Sequence, residues 1–444
     1  MKKLPIIEIA LIVLGSILYF SANFQRVAVP GAIFDMLQND LHTTTQCVTN
    51  LGSSLMYTYA ISQLVIGVLI ARYGGFRIVT FGSILFFIGS LLFPFAQSLP
   101  LLYFSRVLIG LGSGTFYLGM INETRKVVSK KNFGICLSIM LLVGYIGSII
   151  ANAPLVLFIK NLKWQVSALG PETTAWREAF LIVALITVLI SLIFIVLKGI
   201  LPKQPIDRTV HFDLELFKST FKNTKNYSLY AFSCLNYGLY YVVQTVWGKK
   251  FLEDFFSIPE VNAAIFLSLM GGLYAIGGPI MALASRNCLE RKTIFLKLSS
   301  LNSLIVFTSI LLITIFEIHT TTIGYIVGYF FCTISFCASL SPLLISLLHD
   351  YNGSRVANTS VSIMTAGFYT VVALLANISG FFLDKFTPIG MTKHSTDSYI
   401  AIFVLMTILA IISFINSFKI EESERTKRFI LHQNYIKEQK NSAK

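Results

Sequence analysis

Residues 201–226, LPKQPIDRTVHFDLELFKSTFKNTKN, form the longest polar stretch inside the chain and fall near the middle of its 444 residues. On both sides lie apolar runs long enough to cross a bilayer, at about 20 residues per span. Bounding each run by charges or turn residues gives six spans before the stretch: 6–34, 47–70, 78–97, 99–124, 133–158 and 179–200. Six more follow: 227–251, 260–284, 293–316, 322–348, 355–383 and 399–418. The reading is an all-α polytopic membrane protein, with 12 transmembrane helices in two pseudo-symmetric six-helix bundles, 1–200 and 227–418. The stretch 201–226 is then a cytoplasmic linker and 419–444 a charged cytoplasmic tail.

Composition agrees. Apolar residues make up 55% and charged residues 13%, about four to one where soluble proteins have roughly two to one, which excludes a soluble enzyme. The first apolar run leads into many others, so it reads as a first span and not as a cleaved signal. A net charge of +14 would suggest nucleic acid in a soluble chain. Here sidedness accounts for it. With the N-terminus inside, the cytoplasmic segments hold 25 Lys and Arg and the external ones 7, while Arg26, Arg106 and Lys297 lie within spans. That split places both termini in the cytoplasm of a cell (inner) membrane protein and leaves a nucleic-acid partner as the weaker reading. The six cysteines form no CxxC pair, and no two of the six histidines have metal-ligand spacing. No phosphate-binding loop or nucleophile–base set appears, so neither cofactor, metal nor ATP is expected.

Tyr59-Ala60-Ile61 in span 2 and Tyr274-Ala275-Ile276 in span 8 are the same tripeptide at the same ordinal span of each half, and each leads to a basic turn at Arg72 or Arg286. Carriers built from two such repeats bind solute near the midplane between the halves. Between spans 2 and 3 stands Gly67-Val68-Leu69-Ile70-Ala71-Arg72-Tyr73-Gly74-Gly75-Phe76-Arg77. It resembles the G-x-L-x-D-R-x-G-R-R signature of the major facilitator superfamily at Gly67, Leu69, Arg72 and Gly74, with Ala71 in place of the acid. Span 4 opens Arg106-Val107-Leu108-Ile109-Gly110-Leu111-Gly112-Ser113-Gly114, similar to the family's R-x-x-x-G-x-G-x-G. Gly110 and Gly114 would share one face, where small residues let a second helix approach. Ile276-Gly277-Gly278-Pro279, Ser285-Arg286 and Gly380-Phe381-Phe382-Leu383-Asp384 also resemble members. The resemblance implies a secondary transporter working by alternating access, coupled to a proton or counter-solute. Gly67, Arg72, Gly74, Arg77, Gly110, Gly114 and Arg286 would form its conformational motifs. Span 5 lacks the G-P-x-x-G-G cluster of drug antiporters, which tilts the reading from drug export toward uptake or exchange of a metabolite.

Charged side chains in a bilayer are costly and usually face a cavity or a partner. Arg26 sits in Ser21-Ala22-Asn23-Phe24-Gln25-Arg26-Val27-Ala28-Val29-Pro30-Gly31, where its guanidinium would hold a carboxylate or phosphate through two hydrogen bonds; the alternatives are an interdomain ion pair or a snorkelled arginine. Arg106 is a second candidate for the solute path, with a structural role equally open. Tyr237, Tyr240, Tyr241, Gln244 and Trp247 recur at spacings of three and four along span 7, a polar-tipped aromatic stripe that suits a wet path or plain packing. Asn23, Tyr57, Tyr59 and Gln63 complete the path set. Glu123, beside Asn122, is the coupling candidate, its rival reading being a solvated partner for Arg125 or Lys126. Lys249 and Lys250 read as a solvated cluster with Glu253 and Asp254, able to steer an anion inward. The expected protein is a monomeric carrier in a lipid bilayer. Its solute is small and anionic: an organic acid, a phosphorylated metabolite, an amino acid or a carboxylate siderophore. The alternatives are a drug or metabolite exporter and a transport-dead sensor of the same fold.

Overall fold

The computed structural model describes residues 4–162, 175–202, 206–207, 214–287, 291–387, 393–422, 424 and 426. Every described element is a helix. In the first half these are α1 (Leu4–Ala28), α2 (Phe34–Leu41), α3 (Thr45–Tyr73), α4 (Gly75–Phe95), α5 (Leu99–Val127), α6 (Lys130–Ile150), α7 (Ala153–Asn161) and α8 (Ala175–Ile200). The short α9 (Leu214–Lys222) precedes α10 (Lys225–Val242), α11 (Gly248–Phe256), α12 (Glu260–Asn287), α13 (Lys292–Ile315), α14 (Thr321–Ala338), α15 (Ser341–Phe386) and α16 (Thr396–Ser417).

Among the described residues, ten helices are long and apolar enough to cross a membrane, or up to eleven if α6 and α7, bent by 47°, make one span. Within α15, one such span ends at Asn352 and the next begins at Val356. The remaining expected span, 227–251, is present as α10, a π-helical turn at Val243–Trp247 and α11. It is too rich in tyrosine, asparagine and lysine to register as an apolar span. Arg286 lies in α12, but its side chain, part of the linker and most of the tail 419–444 fall outside the described residues. We call the end of the bundle carrying residue 4, the 73–75 turn and the linker the terminal face. The opposite end, carrying α2, α11 and residues 393–396, is the distal face.

The glycine pattern of span 4 has the packing consequence read from its spacing. A Cβ at Gly110 would lie 2.0 Å from Thr58 Oγ1 and one at Gly114 2.1 Å from Ser62 Oγ, so both face α3. Gly112 faces α4, where a Cβ would lie 2.4 Å from the Gly82 carbonyl oxygen. Gly74 ends α3 with φ 87°, a left-handed region that favours glycine. A Cβ at Gly67 would meet open space, so its place in the motif has no steric reason here.

Helix α1 ends at Ala28, since Pro30 has no N–H to continue the ladder, and a 3-10 turn follows at Gly31–Ile33. The π turn between α10 and α11 lies beside it: a Cβ on Gly31 would come within 3.0 Å of the Thr245 carbonyl oxygen. The halves also meet along α3 and α15. Ser53 Oγ donates to the Ala373 carbonyl at 3.2 Å, Asn377 Nδ2 donates to the Tyr57 hydroxyl at 3.1 Å, and a Cβ on Gly380 would lie 2.0 Å from Thr49 Oγ1.

Candidate functional site

Arg26 is 2% exposed. Its Nη1 donates to the Tyr369 hydroxyl at 2.9 Å and to Asn23 Oδ1 at 3.3 Å. The guanidinium carbon lies 4.2 Å from the Tyr59 ring centre and 4.8 Å from that of Tyr369. Nε and Nη2 have no hydrogen-bond partner. None of the ion pairs among the described residues involves this cation, and none of the chain's 21 acidic residues falls in the middle of a span. A buried charge without a counter-charge is costly.

Around it rings converge from both halves. Tyr237 stacks on Tyr241 and Phe368 with centroids 5.0 and 4.7 Å apart, and Tyr240 stacks on Tyr274 at 4.7 Å. Tyr145 of α6 meets Tyr274 edge-on at 5.5 Å, and Tyr19 stacks on Tyr117 at 5.3 Å. The repeated tripeptide thus delivers one tyrosine from each half, Tyr59 and Tyr274, to the same centre. Tyr369, Phe368, Tyr19, Tyr117 and Tyr145 were not foreseen in the sequence. Their helices show no aromatic periodicity, and only Tyr274 carried a signal, the repeat.

Other expected members go elsewhere. Arg106 is fully buried, with donors to three main-chain carbonyls: Gln25 at 3.0 Å, Val29 at 3.3 Å and Leu51 at 3.4 Å. Two of these flank the end of α1, where carbonyls lose their intrahelical donors, so Arg106 ties that broken end to α3 and α5. Gln63 Nε2 donates to the Gly114 carbonyl at 3.2 Å, a tie between α3 and α5. Gln244 accepts from the Tyr240 hydroxyl at 2.6 Å and donates to the Leu267 carbonyl at 3.3 Å, so it stays beside the ring cluster. Trp247 leaves the stripe: it packs on Phe331 and Phe403 at 6.3 and 5.3 Å. The wider π turn shifts the register, so spacing counted for an α-helix misplaces it.

Glu123 is buried at the terminal face, where Oε1 accepts the Gly75 N–H at 2.6 Å and pairs with Lys126 Nζ at 2.9 Å. It serves the first turn of α4 as a cap and pairs with Lys126 as the rival reading had it, but from a buried position and not a solvated one. Asn122 is next to it, its Oδ1 buried without a partner. Arg72 passes over Tyr73 at 5.4 Å while its carbonyl accepts the Asp207 N–H at 3.0 Å, and Arg77 stands in the first turn of α4.

Lys249 and Lys250 are not solvated; they are 3% and 5% exposed at the distal face. Lys249 Nζ donates to the Ala32 carbonyl at 3.1 Å and pairs with Glu260 at 2.9 Å, and Glu260 also pairs with Lys160 of α7 at 2.7 Å. Lys250 bridges Asp35 at 2.7 Å and Asp254 at 3.2 Å. Asp254 Oδ2 accepts the His394 main-chain N–H at 3.0 Å and the Tyr399 hydroxyl at 2.8 Å, and lies 2.8 Å from His394 Nδ1. His394 Nε2 is 2.9 Å from Thr45 Oγ1. The Asp384 carboxylate accepts the main-chain N–H groups of Thr45 and Gln46 at 2.9 and 2.8 Å, capping α3 from the other half. Burial opposes the charge on Asp254, yet the His394 and Lys250 contacts hold its carboxyl below the usual range. Glu253 is pushed up to about 7 by burial, against the pull of Lys249.

A family model described as Major Facilitator Superfamily matches residues 15–377. A bacterial homologue of the human lysosomal transporter Spinster, in an inward-facing and unoccupied conformation, superposes with TM-score 0.70 at 15% identity, over 93% of this chain and 97% of its own. A POT family transporter in complex with 5-aminolevulinic acid gives TM-score 0.71 at 14% identity, with the same coverage. At such identities the likeness is one of fold. A curated relative, the uncharacterized transporter YybO of Bacillus subtilis (strain 168), is 29% identical over 171 residues, a match that spans 38% of this chain and 36% of YybO.

Proposed function

Since the chain belongs to the Major Facilitator Superfamily of secondary transporters, we propose that it moves a small anionic solute, held at Arg26, across the cell membrane by alternating access. The two rocking units are 1–200 and 227–418, with the linker, tail and both termini in the cytoplasm. The observation that carries the reading is the Arg26 guanidinium, buried with Nε and Nη2 unpartnered at the meeting of tyrosines from both halves. Coupling to a counter-solute fits better than a proton carried by Glu123, whose carboxylate is tied to Gly75 and Lys126. Export of hydrophobic cations fits poorly, since the centre offers a cation and no acid.

The test is anion uptake into vesicles containing the purified protein. Arg26→Lys keeps the charge but loses the planar fork, so uptake should fall at least tenfold, and Arg26→Ala should lose it. Unchanged uptake in both variants removes Arg26 from the site. Labelling of single introduced thiols checks the topology: external labelling within 201–226 would overturn it.

A further inference from the structure

We propose that the solute is an aromatic monocarboxylate: one negative charge, a planar ring and no ammonium group. The proposal rests on the anion reading above and narrows it.

Charge sets the first limit. Two arginines lie between the faces in this region, and Arg106 spends its donors on the carbonyls of Gln25, Val29 and Leu51. Arg26 is left as the cation with donors to give. A second carboxylate on the solute would enter a buried region with no cation to meet it. A solute ammonium would fare no better, because no acidic residue falls in the middle of a span. Dianions, phosphorylated metabolites and zwitterionic amino acids are therefore disfavoured.

Geometry sets the second. Nε and Nη2, the two unpartnered donors, share one edge of the guanidinium and point the same way, so they can bind both oxygens of one carboxylate. Nη1 is occupied by Tyr369 and Asn23, which fixes the plane of the fork.

The walls set the third. Several hydroxyls that could recognise a polyhydroxylated body are already engaged: Tyr240 with Gln244, Tyr274 with Ser341 at 3.2 Å and Tyr237 with Tyr369 at 3.5 Å. What the surroundings offer is ring faces, stacked at 4.7 Å in Tyr237–Phe368 and in Tyr240–Tyr274. A flat ring extends such stacks, which the hydrated, non-planar body of a sugar acid cannot do.

Four sodium salts test this with the full-length protein in detergent or nanodiscs, read as thermal stabilisation against sodium chloride: benzoate, phthalate, phenylalanine and gluconate. Benzoate should stabilise the protein at concentrations at least tenfold below those required of the other three. Arg26→Ala should remove its effect; if that variant fails to fold, Arg26→Lys should weaken it at least tenfold. Tyr274→Leu should weaken benzoate more than it changes the melting temperature without ligand. Phthalate or phenylalanine matching benzoate overturns the charge count, and gluconate matching it overturns the planar ring. No benzoate response in the wild type overturns the proposal. If another of the four acts through Arg26, the anion reading survives that loss; if benzoate acts equally on both Arg26 variants, the anion site itself is wrong.

Discussion

The two faces of the bundle bond in different ways. At the distal face the halves are joined to each other: Lys250 to Asp35, Glu260 to Lys160, His394 to Thr45, and Asp384 to the start of α3. At the terminal face the bonds described stay within one half. Glu123 holds Gly75 and Lys126, Lys292 pairs with Asp350 at 2.6 Å, and Glu422 accepts from the Thr293 main chain at 2.7 Å. One end of the interface is thus latched by ionic contacts, and the other rests on helices that are each braced by their own half. Charges near a span end steer solute only where they meet water; buried and paired, these hold one half to the other.

The contrast can be broken at its strongest point. Asp254→Asn weakens the acceptor shared by Lys250, His394 and Tyr399. Losing one partner of a buried pair costs about 3–5 kcal/mol. The expected outcome is a lower melting temperature and faster labelling of a Tyr59→Cys variant, built in a background without native cysteines, by an impermeant maleimide added at the distal face. Unchanged labelling would mean the latch does not hold that face shut. Asp384→Asn keeps an acceptor but removes the charge at the α3 terminus, a loss of about 1 kcal/mol and a smaller labelling change.

Glu253 gives a pH handle on the same face. Its carboxyl is pushed up to about 7 from an ordinary 4.5, so between these values the folded protein holds a proton that the unfolded chain has released. Stability from this group is therefore full below 4.5 and lost as pH rises to about 7, by roughly 1–3 kcal/mol. Melting temperatures compared at both ends of that window should show the fall in the wild type and a shallower one in Glu253→Gln. The smallest effect belongs to the terminal face. Glu123→Gln keeps an amide acceptor for the Gly75 N–H but removes the buried charge facing the half-exposed Lys126, a change of about 1 kcal/mol, and should leave solute accumulation near the parent level. Loss of accumulation with exchange intact would return Glu123 to the coupling role.

Much of this was legible in the sequence. The spans followed from apolar runs, a close helix approach to span 4 from the spacing of Gly110 and Gly114, and the buried cation from an arginine set deep in a span. What stayed hidden depends on the other half of the chain. Tyr369 is 343 residues from Arg26, and no local pattern links them. Lys249 and Lys250 looked solvated because their acceptors Ala32 and Asp35 belong to the first half. Arg106 satisfies main-chain carbonyls that any sequence would carry, and only the break at Pro30 hinted that some were free. Trp247 was misplaced by the local helix type.

The contact between Gly31 and the Thr245 main chain has a mechanical consequence. On the proposed rocking motion the halves move least where they touch without clearance, and this contact, like that of Gly380 with Thr49, lies nearer the distal face than Arg26 does. A swing about it has unequal arms. On that motion a short travel at the latch, enough to separate Lys250 from Asp35, would become a wider displacement at the terminal face. A bulkier residue at position 31 should therefore shorten the stroke at the far end before it loosens the latch.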